Sequence, residues 1–168
     1  VRPIKTVFVW GRNFEKAKHI CESLKNEEFK IIPIKNIEEK ISEVDIISCA
    51  TLSKTPLILG KYLKKGQHID LVGAYKKDMR EADDKTISKA SVYLDPFQGG
   101  LKESGDIVIP LQNGTLKKED RKADLFQLCS NQKTGRKNQE EITLFKSVGH
   151  ALEDLAAANY FYNKFTNE

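Results

Sequence analysis

Five short apolar runs, separated by amphipathic or polar stretches, constrain the fold of this chain more than any other feature of its sequence. The runs are TVFVW, FKIIPI, VDIISCA, HIDLVG and SVYLD, and they fall between Thr6 and Asp95. Alternating strand-like and helix-like stretches are typical of a parallel sheet covered by helices, because each crossover returns the chain to the same end of the sheet. We therefore predict an α/β fold with a doubly wound, mostly parallel sheet and a ligand crevice at the carboxyl ends of its strands.

The patterns between and after these runs predict the remaining elements. Helices are expected at residues 14–25, 37–42, 56–63, 85–90 and 124–129, a loop at 131–138 and a strand at 142–145. A closing amphipathic helix carries Val148, Ala151, Leu152 and Leu155 on one face. The near-continuous apolar character of VDIISCA and HIDLVG favours central strands buried on both faces. After Asp95 the segments PFQGG, ESGD and LQNGT are turn-like and predict irregular structure.

Composition excludes several classes of function. The 168 residues carry 28 Lys and Arg against 24 Asp and Glu, a net charge of +4, but the two signs alternate along most of the chain. A mixed-charge surface of this kind indicates no nucleic-acid partner. No apolar run approaches the roughly 18 residues that a membrane span needs. We expect no membrane partner and a cytoplasmic location.

The cysteines and histidines are too scattered for a disulfide framework or a metal site. They are Cys21, Cys49, Cys129, His19, His68 and His150. The chain begins with Val1 rather than Met, and we expect it to be processed or truncated.

The turn Gly11-Arg12-Asn13 follows the first apolar run and precedes a helix pattern. In a dinucleotide-binding fold, an acidic residue near this position selects NAD by accepting from the ribose 2′-hydroxyl, whereas an arginine pairs with the 2′-phosphate of NADP. Arg12 therefore indicates NADP. Alternatively, Arg12 is an ordinary exposed turn residue and Asn13 simply caps the helix.

Two further strand ends carry candidate site residues. In CATLSKTP, backbone amides and the hydroxyls of Thr51 and Ser53 could line a cofactor crevice, or they could satisfy turns. In VGAYKKDMRE, Gly73 permits close backbone approach to a ligand, or it meets a turn requirement. The charged residues Asp78, Arg80 and Glu81 that follow could belong to the same site or could equally form a surface ion-pair cluster, and we expect the cluster.

Lys146 and Ser147 stand where the last strand is expected to pass into the closing helix. Unpaired amides and the helix dipole at such a junction favour an anion. Ser147 could equally act as a plain helix cap, and the two interpretations are compatible.

Taken together, VWGRNFEKA, DIISCATLSKTP, HIDLVGAYKKDMREAD and EITLFKSVGHALEDLAAA closely resemble the ornithine cyclodeaminase and mu-crystallin family. The resemblance covers essentially the whole chain. It implies that residues 1–145 are part of a Rossmann-like NAD(P)-binding domain that lacks its first strand and glycine-rich loop. Residues 146–168 would then form a helix that packs toward an N-terminal substrate and dimerisation domain, in a protein that is a homodimer at full length.

The same resemblance implies cofactor contacts at the strand ends. Gly11, Arg12 and Asn13 match the ribose and 2′-phosphate site, and Thr51, Leu52 and Ser53 match a cofactor-contacting turn. Val72 and Gly73 would lie near the nicotinamide, with Lys146 and Ser147 closing that end of the pocket. The implied cofactor is NADP, with NAD as the other possibility.

Tyr75 distinguishes between the activities of the family. Ornithine cyclodeaminases carry an aspartate two positions after the glycine that matches Gly73, whereas this chain has Tyr75. The resemblance therefore favours reduction of cyclic imines, such as Δ1-pyrroline-2-carboxylate, over release of ammonia from ornithine. A third possibility is a crystallin-like protein that binds NADPH or another small ligand without catalysis. The proton donor is not assigned.

Overall fold

A computed structural model describes residues 2–24, 28–95 and 97–166 of the chain, with the side chains of 97 and 98 excepted. It divides into two compact units, Val1–Val44 and Asp45–Glu168.

The first unit is a strand–helix–strand motif. Strand β1 (Thr6–Val9) pairs in parallel with β2 (Lys30–Pro33). Helix α1 (Phe14–Ser23) connects them, begins where the side chain of Asn13 accepts from the N–H of Lys16, and buries Ala17 and Cys21. The helix predicted at residues 14–25 is thus confirmed as far as Ser23, and position 25 lies outside the described residues.

The helix predicted at residues 37–42 is wrong. The chain makes only turns there, with the N–H of Ile41 donating to the carbonyl of Ile37 at 2.9 Å. A segment of this length cannot offset the cost of helix nucleation by itself.

The second unit contains a five-stranded sheet of order β3-β4-β7-β5-β6 in which every pair is parallel. The strands are Ile46–Cys49 (β3), His68–Leu71 (β4), Ser91–Leu94 (β5), Ala123–Asp124 (β6) and Thr143–Lys146 (β7). Ile69 and Leu71 of β4 and Leu144 of β7 are fully buried, so the middle strands form the core of this unit. The predicted α/β class with a parallel sheet is confirmed.

The prediction of two central strands holds for β4, which lies between β3 and β7, and is wrong for β3. β3 is an edge strand of this sheet, and its residues alternate between exposed and buried, with Ile46 42% exposed. An apolar run alone does not distinguish an edge strand from a central one.

The helix predicted at residues 56–63 is also wrong. Ile58 instead forms a parallel bridge with Ala82, followed by a 3₁₀ turn at Gly60–Tyr62. The N–H groups of Leu57 and Ile58 both donate to the carbonyl of Glu81, so this backbone is held by a distant segment. Helix α2 (Asp84–Lys89) then forms close to its predicted position, with Asp83 as its N-cap.

The region after Asp95 contains two helices that the turn-like sequence did not predict. They are α3 (Phe97–Gly100) and α4 (Gly105–Gln112), the second capped by Ser104 and containing Pro110. The glycine and proline residues of these segments are typical of turns, so the sequence did not indicate helices there. Helix α5 (Leu125–Cys129) confirms the prediction at 124–129, and the predicted loop at 131–138 is also present.

The closing helix α6 (Ala151–Thr166) is confirmed, but Val148 precedes it and Ser147 is not its cap. No described helix is long and apolar enough to cross a membrane.

Candidate functional site

Three loops meet at one edge of the sheet in the second unit. The register aligns Cys49 with Leu71 and Leu71 with Lys146, so β3, β4 and β7 end at the same level. Beyond them, the N–H of Val72 donates to Cys49 and the N–H of Ser147 donates to Leu71. We call residues 51–53, 72–74 and 146–147 the carboxyl edge. The predicted residues Thr51, Leu52, Ser53, Val72, Gly73, Lys146 and Ser147 all belong to it.

Gly73 allows two of these loops to touch. A Cβ atom at Gly73 would lie 2.0 Å from the carbonyl oxygen of Thr51 and 2.1 Å from its nitrogen. Because both atoms are backbone, no side-chain movement could relieve the clash. The glycine is therefore required by the approach of the two loops.

The side chains that the carboxyl edge presents to solvent are apolar. Leu52, in the loop after β3, is 64% exposed, and Val72, directly after β4, is 44% exposed. Apolar side chains with a few polar groups beside them are typical of the lining of small-molecule sites.

The hydroxyl groups of this edge are already engaged within the protein. Thr51 Oγ1 donates to Glu81 Oε1 at 2.7 Å, and Ser53 Oγ donates to the carbonyl of Thr55 at 2.6 Å. Their hydroxyl protons are thus committed to internal bonds. The turn-forming interpretation describes the hydroxyl of Ser53, whereas that of Thr51 donates to a carboxylate 30 residues away.

The expected surface ion-pair cluster at 78–81 is only partly present. Asp78 pairs with Lys54 at 2.7 Å, and both side chains are largely exposed. Arg80 pairs with Asp84. Glu81, however, is fully buried and accepts hydrogen bonds from the loops of the carboxyl edge, so its inclusion in a surface cluster was wrong.

Lys146 is not open to a ligand anion through its side chain. It is fully buried, and its Nζ lies 3.5 Å from Oδ2 of Asp106, which is fully buried as well. Burial raises the pKa of Asp106, while the N–H groups of Ala82 and Glu81 and the charge of Lys146 act in the opposite direction. The same environment, chiefly burial and then the charge of Glu81, raises the pKa of Cys49 to about 12.

The amides after β7 were expected to be unpaired and are instead paired. The hydroxyl of Ser147 and the N–H groups of Val148 and Gly149 all donate to Oδ2 of Asp95, at 2.9, 2.6 and 2.7 Å. These groups do bind an anion, but the anion is a buried carboxylate of the same chain. A carboxylate directly after the SVYL strand was the sequence signal for this contact.

The Gly11-Arg12-Asn13 turn belongs to the first unit and borders a cavity of about 270 Å³. Residues 9–13 line it together with Lys16, Ala17 and Ile20. Arg12 and Lys16 are exposed cations, and the cavity adjoins the N-terminus of α1, where backbone N–H groups favour an anion. Trp10 is fixed there by donating from Nε1 to the carbonyl of Lys35 at 3.1 Å. Lys16, four residues after Arg12, lines the same cavity but was not among the candidate residues predicted from the sequence.

Among the described residues, no group of three His, Cys, Asp or Glu side chains could hold a metal ion.

Parallel strands joined through helices, with loops gathered at the carboxyl ends of β3, β4 and β7, are the architecture of NAD(P)-binding, dehydrogenase-type α/β domains. The chain belongs to the ornithine cyclodeaminase/mu-crystallin family, whose model matches residues 1–168. The resemblance found in the sequence is thereby confirmed.

Individual relatives agree with this membership. The chain is 45% identical over 96% of its length to an uncharacterized protein of Schizosaccharomyces pombe, and 34% identical over 94% of its length to the Δ1-pyrroline-2-carboxylate reductase of Paracoccus denitrificans. It covers 52% and 50% of these two proteins. The chain thus spans about half the length of the curated relatives it matches.

A solved structure extends the similarity to three dimensions. The Δ1-pyrroline-2-carboxylate reductase of Thermococcus litoralis, in complex with NADH and L-proline, superposes with a TM-score of 0.95 at 36% identity. The match covers 99% of this chain and 52% of the Thermococcus chain.

Proposed function

We propose that the full-length protein reduces cyclic imines, such as Δ1-pyrroline-2-carboxylate, to the corresponding L-amino acid with a nicotinamide cofactor. The observation that carries the proposal is the similarity to the Thermococcus reductase over nearly the whole chain, at 36% identity. Curated relatives of the same name, such as those of Paracoccus denitrificans and Colwellia psychrerythraea, add support at 34% and 35% identity. Reduction of Δ1-pyrroline-2-carboxylate yields proline, so the product would enter proline metabolism.

The residues of this chain fit such a cofactor at two places. The exposed apolar side chains of Leu52 and Val72 suit one face of a nicotinamide ring. The cavity beside α1 offers Arg12 and Lys16 to a phosphate. When bound, the reduced cofactor supplies the hydride of the reaction.

The contribution of the chain's own residues is orientation and charge. Gly73 lets the loops after β3 and β4, which carry Leu52 and Val72, approach closely. Apolar side chains at this surface would also exclude water from the reacting atoms.

NADP is the proposed cofactor, because Arg12 and Lys16 together match the two negative charges of a 2′-phosphate. The alternative is NAD, since the Thermococcus reductase is bound to NADH. We also propose that the full-length protein is a cytoplasmic homodimer. An archaeal alanine dehydrogenase with bound NAD, 25% identical to this chain with a TM-score of 0.88, is described as a dimer.

The test measures loss of reduced-nicotinamide absorbance when the full-length protein is mixed with Δ1-pyrroline-2-carboxylate and either NADPH or NADH. Turnover that yields L-proline is expected. Release of ammonia from ornithine without net cofactor consumption would instead identify an ornithine cyclodeaminase. Tight cofactor binding without turnover across a panel of cyclic imines would identify a non-catalytic binding protein.

A further inference from the structure

Glu81 lies at the centre of a buried hydrogen-bond network beneath the carboxyl edge. Its Oε1 accepts from the N–H of Thr51 at 2.6 Å and from the Thr51 hydroxyl at 2.7 Å. Its Oε2 accepts from the N–H of Gly73 at 3.0 Å and from that of Ala74 at 3.3 Å. Every partner is a donor, which matches a carboxylate, a group that only accepts.

The backbone around Glu81 is itself fixed by other elements. Asp106 Oδ1 accepts from the N–H groups of Glu81 and Ala82 at 2.7 and 3.0 Å. The carbonyl of Glu81 accepts from Leu57 and Ile58. The carboxylate is therefore presented to the two loops from a rigid base.

A buried ion pair connects this base to β7. Lys146, the last residue of β7, faces Asp106 in the first turn of α4 across 3.5 Å. The network thus joins the ends of β3, β4 and β7. Buried charges are costly to rearrange, so such a network favours a single arrangement of the loops that it holds.

We infer that Glu81 is a positioning residue, whose buried carboxylate holds the loops after β3 and β4 in the arrangement that receives the nicotinamide. Glu81 acts from behind these loops, while Leu52 and Val72 on the loops face solvent. This inference rests on the proposed nicotinamide function. Arg12, by contrast, is proposed to contact the adenosine half of the cofactor.

The experiment compares Glu81→Gln with wild type in the full-length protein. The new amide NH₂ would point at backbone N–H donors, so the loops would lose their fixed arrangement. We expect kcat to fall by at least about tenfold, the loss typical of a hydrogen bond to a charged group. NADPH affinity should weaken, whereas affinity for 2′-phospho-ADP-ribose, which has no nicotinamide, should stay within about twofold of wild type. If NADH is the preferred cofactor, NADH and ADP-ribose replace this pair.

Asp78→Asn is the matched control, because it makes the same chemical change three residues away in an exposed ion pair. It should leave kcat and the affinities for NADPH and 2′-phospho-ADP-ribose unchanged. Glu81→Asp keeps the charge but has a shorter side chain, so it should cause smaller losses of kcat and NADPH affinity, again with little change in affinity for 2′-phospho-ADP-ribose. This variant provides the test if Glu81→Gln does not fold.

Two results would overturn the inference. One is a Glu81 variant with wild-type kcat and cofactor affinity. The other is equal loss of affinity for the whole cofactor and for its adenosine half, which would indicate a merely structural residue. If wild type reduces no cyclic imine, the proposed activity is wrong, but the two affinities still test the role of Glu81.

Discussion

Arg12 is the residue on which we base the proposal of NADP. It lines the cavity next to α1 together with Lys16, which lies in the first turn of that helix. In the full-length protein we expect Arg12→Ser to weaken NADPH binding about tenfold or more and to leave NADH binding nearly unchanged, because only NADPH carries the 2′-phosphate. Fluorescence titration with each cofactor measures the ratio. Lys18→Ser is the control, because Lys18 lies on α1 but does not line the cavity. An unchanged ratio of NADPH to NADH affinity in Arg12→Ser would contradict the proposed contact between Arg12 and the 2′-phosphate.

Gly73 is the residue on which the spacing of the loops depends. Gly73→Ala would force a Cβ against the backbone of Thr51, and overpacking of this kind costs about 1–3 kcal/mol of unfolding free energy. Gly135→Ala serves as control, because a Cβ at Gly135 meets nothing within 4 Å. Urea unfolding of both variants tests the difference. Equal stability of the two would show that the loops can separate without cost.

At the scale of elements, the starts of β4 and β7 are joined by His68. Its Nδ1 is within hydrogen-bond distance of Thr143 Oγ1, at 2.8 Å, and Arg136 donates to the same oxygen. Burial lowers the pKa of His68 below the ordinary value of 6.5, while Asp70 opposes this effect and Arg136 adds to it.

The lowered pKa of His68 predicts a pH-dependent stability. Above pH 6.5 the imidazole is neutral in both the folded and the unfolded chain, so its full contribution to the unfolding free energy is present. As the pH falls below 6.5, the unfolded chain binds the proton first, so the unfolding free energy decreases until the pH reaches the lower pKa of the folded state. Urea midpoints between pH 5 and 8 should show this decrease in wild type and less of it in His68→Asn. The same slope in both proteins would exclude His68 as the cause.

Elements with a local signal were predicted well, and elements held by distant contacts were not. Helix α1 carries its own cap at Asn13, and α5 carries a capping box between Asp124 and Gln127. The segment at 56–63 has an apolar pattern of its own, yet its backbone is held by the carbonyl of Glu81. Helix α4 was missed because Gly105 and Pro110 are unfavourable signals that packing overrides.

At the scale of the whole molecule, the two compact units together match one family model over residues 1–168. The proposed homodimer predicts that the full-length protein has twice its chain mass in solution. Light scattering after size exclusion measures this directly. A monomer that reduces cyclic imines at the full rate would remove the dimer from the proposal and leave the activity intact.

The sequence by itself determined the succession of apolar strands, the parallel α/β class and the strand ends that carry the candidate site residues. These follow from periodicity and from the order of strand ends, which are local properties of the chain. Only the tertiary structure decided which charges are buried and what they bind. Glu81 bonds to Thr51 across 30 residues, Lys146 faces Asp106, and Asp95 occupies the amides after β7. The physical reason is that the cost of burying a charge is set by its neighbours in space, and the sequence around a residue does not specify those neighbours.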